Sequence, residues 1–157
     1  MLEGIKKLHF VGIGGVGMSA IAEVMLDKGY EISGSDLSES AVVKHLKAKG
    51  ATIYKGHDAL NVEGKEALVL SSAIHQDNPE LVAAKAKGLK LFHRSDILAY
   101  LLNDAKGIAV AGAHGKTTTS SMISVVLEHA KVDPTILIGG FVDYLKGNAK
   151  LGKSDYL

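Results

Sequence analysis

An apolar run, a glycine turn and an amphipathic helix follow one another twice in this chain, and that succession constrains the fold more than any other feature. In the first case, Leu8 to Ile13 runs into Gly12-Ile-Gly-Gly-Val-Gly-Met18. Met18, Ile21, Ala22, Met25 and Leu26 then recur at helical spacing until Gly29. In the second, Ile108 to Ala111 runs into Gly112-Ala-His-Gly-Lys-Thr117, and Met122, Ile123, Val126, Leu127 and Ala130 follow at the same period. A strand that enters a helix through glycines aims backbone N–H groups and the positive end of the helix dipole at one spot, which suits a phosphate.

The second turn reads as a phosphate-binding loop for a nucleoside triphosphate. Gly112, Ala113, His114, Gly115, Lys116, Thr117 and Thr118 form the cradle, with the Lys116 ammonium opposite the β- and γ-phosphates and the Thr117 hydroxyl on Mg²⁺. The strict pattern asks for glycine at position 110, where Val110 stands, so this is the shorter form Gly-x-x-Gly-Lys-Thr. A glycine-rich turn with a solvated lysine is the plain alternative, and the flanking strand and helix argue against it. The first turn has Gly12, Gly14 and Gly17 in the dinucleotide spacing, and Asp36 closes the next strand about twenty residues on. Such a loop holds a diphosphate on the helix and a ribose on the carboxylate. It does not choose between a nicotinamide dinucleotide and a UDP-sugar, and the plain alternative for Asp36 is a helix or turn cap.

Strands and helices alternate between the two loops. Glu31 to Ser35, Thr52 to Tyr54, Ala67 to Leu70 and Leu89 to Phe92 read as strands. The intervening helices are capped by Ser38 or Ser40, by Asn78 with Pro79 in the first turn, and by Ser95. This alternation predicts an α/β fold, a Rossmann-like parallel sheet covered on both faces, over residues 1–104. Asn103-Asp-Ala-Lys106 interrupts it, so residues 105–157 are expected to begin a second, phosphate-loop α/β domain, with a further strand near Thr135 to Ile138. Net charge is +1 and both signs are well mixed, which gives no sign of a nucleic-acid or membrane surface. There is no cysteine, and the seven histidines never form a His-x-x-x-His pair, which speaks against thiolate or zinc sites. The N-terminus enters a strand without an apolar leader, so a cytoplasmic protein is expected.

Five stretches, in order and at matching spacing, resemble the Mur ligases, the amino-acid-adding enzymes of peptidoglycan synthesis. They are Phe10-Val-Gly-Ile-Gly-Gly-Val-Gly-Met-Ser-Ala-Ile-Ala-Glu23, Ser33-Gly-Ser-Asp36, Ser71-Ser-Ala-Ile74, Asp77-Asn-Pro-Glu-Leu81 and Gly107-Ile-Ala-Val-Ala-Gly-Ala-His-Gly-Lys-Thr-Thr-Thr119. The pattern is most similar to the branch that joins L-alanine to UDP-N-acetylmuramate. Two positions depart from it: Ala113 stands where threonine is usual, and His93-Arg94-Ser-Asp replaces Arg-Arg-Ala-Glu. The resemblance implies that ATP and Mg²⁺ sit on Gly112 to Thr118, that Lys116 is catalytic, and that a carboxylate is activated as an acyl phosphate before the amine of L-alanine displaces phosphate. It implies that Gly12, Gly14, Gly15, Val16, Gly17, Met18, Asp36, Ser71, Ser72 and Ala73 hold the UDP half. His114 is the histidine best placed for a site role. His57 and His75 read as surface or capping residues, and His93 is unassigned.

The family also needs an acidic metal ligand, an adenine-binding segment and an amino-acid domain beyond Leu157. The chain alone is therefore expected to bind nucleotide without ligase turnover. Its segment 105–157 is expected to be poorly ordered, or to be rescued by pairing with another copy. A nicotinamide-dependent oxidoreductase and a non-catalytic nucleotide-binding module are the alternative readings.

Overall fold

A computed structural model describes residues 1–157. Five parallel strands form one sheet in the order β3-β2-β1-β4-β5: β1 (Lys7–Val11), β2 (Glu31–Asp36), β3 (Thr52–Lys55), β4 (Ala67–Leu70) and β5 (Lys90–His93). The helices α1 (Val16–Asp27), α2 (Ala41–Ala48), α3 (Pro79–Ala86) and α4 (Arg94–Asn103) connect or follow them, with a 3₁₀ turn at Ala59–Val62. The predicted α/β class and the first five predicted strands are those observed. β1 is shorter than its apolar run, because Gly12 takes a left-handed φ of +72° and turns the chain. The Gly12 and Ile13 N–H groups then donate to the Ser35 carbonyl at 2.9 and 3.0 Å. The main core joins Leu8 and Phe10 of β1, Ile32 of β2 and Val69 of β4 to Ile21, Val24 and Met25 of α1.

Capping follows local chemistry. Ser40 accepts from the Val43 N–H at 3.3 Å to start α2, and Asn78 accepts from Glu80 and Leu81 at 3.0 and 3.3 Å ahead of Pro79. Ser95 does not cap α4 as expected. The helix starts two residues earlier, at Arg94, with His93 as the capping residue and its N–H donating to the Asp96 carboxylate at 2.7 Å.

The second part departs from expectation. Residues 108–111 do not form a strand. Pairing there is limited to a parallel bridge between Lys106 and Tyr156, with Ile108 N–H donating to the Leu157 carbonyl at 2.6 Å, so the backbone from 109 to 111 has no neighbouring strand. The strand expected near residues 135–138 extends over β6 (Ile136–Val142) and pairs antiparallel with β7 (Gly147–Lys150), a hairpin closed by a 3₁₀ turn and by Lys146 at φ +51°. This hairpin lies on α1: Asn148 Nδ2 donates to the Val16 carbonyl at 2.6 Å, and Ala149 enters the main core. Covered by sheet and hairpin together, α1 is buried continuously from Met18 to Met25 and not on one face alone. By contrast α5 (Lys116–His129) buries only Ser124, and Met122 and Val126 stay 57% and 66% exposed. A cavity of about 70 Å³ lined by Val110, Ile123, Leu127, Ile136 and Leu157 separates it from β6.

Candidate functional site

The C-terminal ends of the five parallel strands bring the sequence-predicted residues of the first loop together. This edge is where open α/β sheets take ligands. β1 ends in the Gly12 turn, β2 in Asp36, β4 in Ser71, and β5 in His93 and Arg94. Gly15 is the capping residue of α1 in extended conformation. Its side chain is a single hydrogen, so the Val16 and Gly17 N–H groups stand free at the helix start, as an anion site requires. The Ser71–Ile74 turn closes beside the loop: Ile74 N–H donates to the Ser71 carbonyl at 3.2 Å, and Ile74 Cδ1 lies 3.7 Å from where a Cβ on Gly12 would be. Ser72 and Ala73 are exposed on this turn, and Met18 points into the core.

Asp36 does more than the dinucleotide pattern asks. Its Oδ2 accepts from the Gly14 N–H at 2.8 Å, and its Oδ1 from the Ser38 N–H and hydroxyl at 3.0 and 3.1 Å. The carboxylate thus clamps the glycine loop to the end of β2 and caps the next turn. A Cβ on Gly14 would fall 2.7 Å from that same oxygen and 3.0 Å from Val43. Glycine here is set by the clamp as well as by any ligand. Beside Gly17 stands a residue that glycine spacing does not point to: the Arg94 guanidinium lies against it, in the space a Cβ would take. Arg94 forms no ion pair, so a free cation sits at the positive end of α1.

The second loop enters its helix through glycines, as expected, but without the strand expected before it. Gly115 caps α5 at φ +77°, Gly112 lies at φ +152°, and the helix opens on Lys116. Lys116 Nζ donates to the Gly112 carbonyl at 2.5 Å and to the Ala113 carbonyl at 3.1 Å, folding across the loop it would share with a phosphate. Gly112, Ala113, His114, Gly115, Thr117 and Thr118 are all exposed, and Thr117 packs against Gly140 of β6, 3.1 Å from its would-be Cβ. The Thr117 hydroxyl makes no hydrogen bond and is a hard oxygen donor, which suits Mg²⁺ alongside phosphate oxygens.

Beneath the first loop, on the α3 side of the sheet, is a buried polar network that the sequence did not announce. Glu80 of α3 is fully buried. His9 Nε2 and Asn61 Nδ2 approach its Oε1 at 3.3 and 2.7 Å, and the Ser35 hydroxyl and His57 Nδ1 approach its Oε2 at 2.6 and 2.9 Å. Burial by itself raises the Glu80 carboxyl, but the hydrogen bonds donated by His9, Ser35, Asn61 and His57 outweigh it and hold the group down at about 2. His57, read from sequence as a surface or capping residue, is therefore part of this network, with its side chain 20% exposed. His75 and His114 are exposed, and their side chains make no hydrogen bond.

Residues 7–106 match the family model described as Mur ligase family, catalytic domain. The chain belongs to the Mur ligase family. It is 56% identical over 155 residues to the UDP-N-acetylmuramate–L-alanine ligase of Hydrogenobaculum sp., covering 99% of this chain and 34% of that protein. The corresponding ligase of Dictyoglomus turgidum is 53% identical, with 97% and 33% covered. Among solved structures, UDP-N-acetylmuramate-alanine ligase from Thermotoga maritima superposes with a TM-score of 0.90 at 34% identity, over 96% of this chain and 36% of that one. The UDP-N-acetylmuramate:L-alanyl-gamma-D-glutamyl-meso-diaminopimelate ligase of Neisseria meningitides gives 0.89 at 30% identity, covering 98% and 51%. The chain thus spans about a third of the length of the curated relatives it matches.

Proposed function

We propose that this chain supplies the UDP-substrate site and the ATP phosphate loop of a cytoplasmic ligase that joins L-alanine to UDP-N-acetylmuramate in peptidoglycan synthesis. The observation that carries the reading is the pairing of two glycine loops in one family member. One has free N–H groups and Arg94 beside Gly17, and the other has Lys116 and Thr117 at the start of α5. In this reading residues 1–104 are the UDP-binding domain and residues 105–157 begin the ATP-binding domain.

The Val16 and Gly17 N–H groups receive the diphosphate, with Arg94 as its counter-charge and Asp36 holding the loop in shape. Gly12, Gly15 and the Ser71–Ala73 turn leave room along the sheet edge. At the second loop the ATP phosphates displace the Gly112 and Ala113 carbonyls from Lys116, whose charge then faces the β- and γ-oxygens. Mg²⁺ held by Thr117 would supply further charge neutralisation there. The substrate carboxylate attacks the γ-phosphorus, ADP leaves, and the acyl phosphate so formed is opened by the amine of L-alanine, releasing phosphate and a proton. The protein's part in the first step is alignment and neutralisation of charge, which is where most of the acceleration of phosphoryl transfer arises.

Parallel calorimetric titrations with UDP-N-acetylmuramate, NADH and MgATP test the assignment. Binding of the UDP-sugar with no response to NADH is expected. NADH binding at the first loop would favour the oxidoreductase reading instead.

A further inference from the structure

We propose that His57 accepts a hydrogen bond, through Nε2, from a donor on the nucleoside half of the bound nucleotide, in a ring orientation fixed by the buried Glu80. The inference rests on the reading of the first loop as a UDP site, and it adds a recognition residue that neither the family pattern nor the glycine spacing supplies.

Counting donors and acceptors determines the tautomer. A carboxylate offers about four lone-pair sites and no proton. Glu80 has four side chains on those sites: His9, Asn61, Ser35 and His57. Each must therefore bring a proton. Ser35 spends its single hydroxyl proton on Glu80 Oε2 at 2.6 Å, so it can meet His57 Nδ1, 3.0 Å away, only as an acceptor. Both neighbours of His57 Nδ1 thus need it as N–H. In the neutral ring this leaves Nε2 with a bare lone pair, and Nε2 makes no hydrogen bond in the structure. The same network settles His9, whose Nε2 carries the proton toward Glu80 while Nδ1 meets the Ser33 hydroxyl at 2.9 Å.

Position gives that lone pair a use. His57 follows β3, and the preceding Gly56 donates its N–H to the Asp36 carbonyl at 2.8 Å, so the ring stands at the ligand edge of the sheet beside the residue that closes β2. Asn61 holds the same connection from the other side, donating to the Gly56 carbonyl at 3.3 Å as well as to Glu80. Ser35 ties the network to the loop itself, because its backbone carbonyl receives the Gly12 and Ile13 N–H groups. Asp36 is committed to Gly14 and Ser38. An oriented acceptor next to it is the group best placed to read a ribose hydroxyl or the imide N–H of the base. A buried carboxylate that sets the tautomer of a partly exposed imidazole is also an arrangement proteins use where a ring nitrogen must meet a ligand. Glu80 is accordingly a positioning residue and His57 a contact residue.

Two measurements on the 157-residue chain test this. Long-range ¹H–¹⁵N spectra at alkaline pH should show His57 as the Nδ1–H tautomer, with Nε2–H gaining in Glu80→Gln, whose amide brings protons of its own. Calorimetry with UDP, 2′-deoxy-UDP and N3-methyl-UDP should show one analogue weaker than UDP by about threefold to tenfold, the net worth of one hydrogen bond. His57→Phe should weaken UDP by a similar factor and erase that analogue's penalty, while His57→Gln, which keeps an outward acceptor, should restore part of it. The arm that shows the penalty identifies ribose or base as the donor. An Nε2–H tautomer in the unaltered chain, no penalty for either analogue, or a penalty that survives intact in folded His57→Phe and His57→Gln overturns the inference while leaving UDP binding standing. Failure of the unaltered chain to bind UDP overturns the reading of the first loop and this inference with it.

Discussion

Replacing Glu80 with glutamine should destabilise the protein at neutral pH and lose its effect in acid. The Glu80 carboxyl titrates near 2 in the folded chain against an ordinary value of 4.5. A depressed acid contributes stability above its unfolded value and loses it as pH falls through the folded one, so the contribution should disappear between about pH 5 and pH 2. The shift corresponds to something on the order of 3 kcal/mol. Glutamine keeps one acceptor oxygen but turns an NH₂ toward two of the four buried donors. Leaving those unpaired costs roughly 2–4 kcal/mol. Protonated Glu80 meets the same mismatch, since its O–H faces a donor. Urea unfolding followed by circular dichroism, run on both proteins across this pH range, should therefore show a gap of about 3 kcal/mol near pH 7 that closes toward pH 2. A gap that stays constant with pH, or one below about 1 kcal/mol at neutral pH, would refute the view that Glu80 is an ionised, fully bonded hub.

Three further outcomes are expected. Gly34→Ala should cost about 1–3 kcal/mol or more by chemical denaturation, because its Cβ would sit 2.7 Å from Ile13 and 2.8 Å from the Phe10 carbonyl, with backbone on one side of the clash; a neutral effect would show that β1 and β2 have slack there. Lys116→Ala should weaken MgATP binding while leaving UDP-N-acetylmuramate affinity unchanged, and in an active full-length ligase it should lower turnover on the order of 10²–10³; loss of UDP-substrate binding in the same variant would mean that the fold had been damaged. Hydrogen exchange should be faster in α5 and residues 105–115 than in β1, β2 and β4, since α5 buries only Ser124 and the backbone at 109–111 lacks a strand partner; equal protection in a monomeric sample would contradict this.

The first five strands and four helices were legible because each apolar run ends at a glycine or a capping residue. Gly29, which ends the first predicted helix, and Gly50 and Gly88, just past α2 and α3, all adopt positive φ in the structure. The hairpin was legible only at the start of β6. β6 carries Gly139-Gly140 in place of an alternating pattern, and β7 is Gly-Asn-Ala-Lys, whose burial comes from packing on α1 and not from its own hydrophobicity. Residues 108–111 depart from expectation for the opposite reason: their composition is strand-like, but strands form by pairing, and the only pairing there involves residues 106–108 with 155–157. At the site, glycine spacing located both loops and Asp36. It said nothing of Arg94, which reaches Gly17 from α4, or of Glu80, which looked like the first turn of a helix after Pro79. A signal was available for the network. His9, Ser33 and Ser35 place polar groups on one face of strands that are otherwise buried on both, and such groups must find partners.

The most direct test of the central claim is an amide ¹H–¹⁵N titration of the chain with UDP-N-acetylmuramate in the absence of ATP. The account predicts the largest shifts at Gly14 to Gly17 and over Ser71 to Ala73, with the Gly112 to Thr118 loop unmoved until MgATP is added. Shifts confined to Gly112 to Thr118, or the first loop answering to NADH and not to the UDP-sugar, would contradict it.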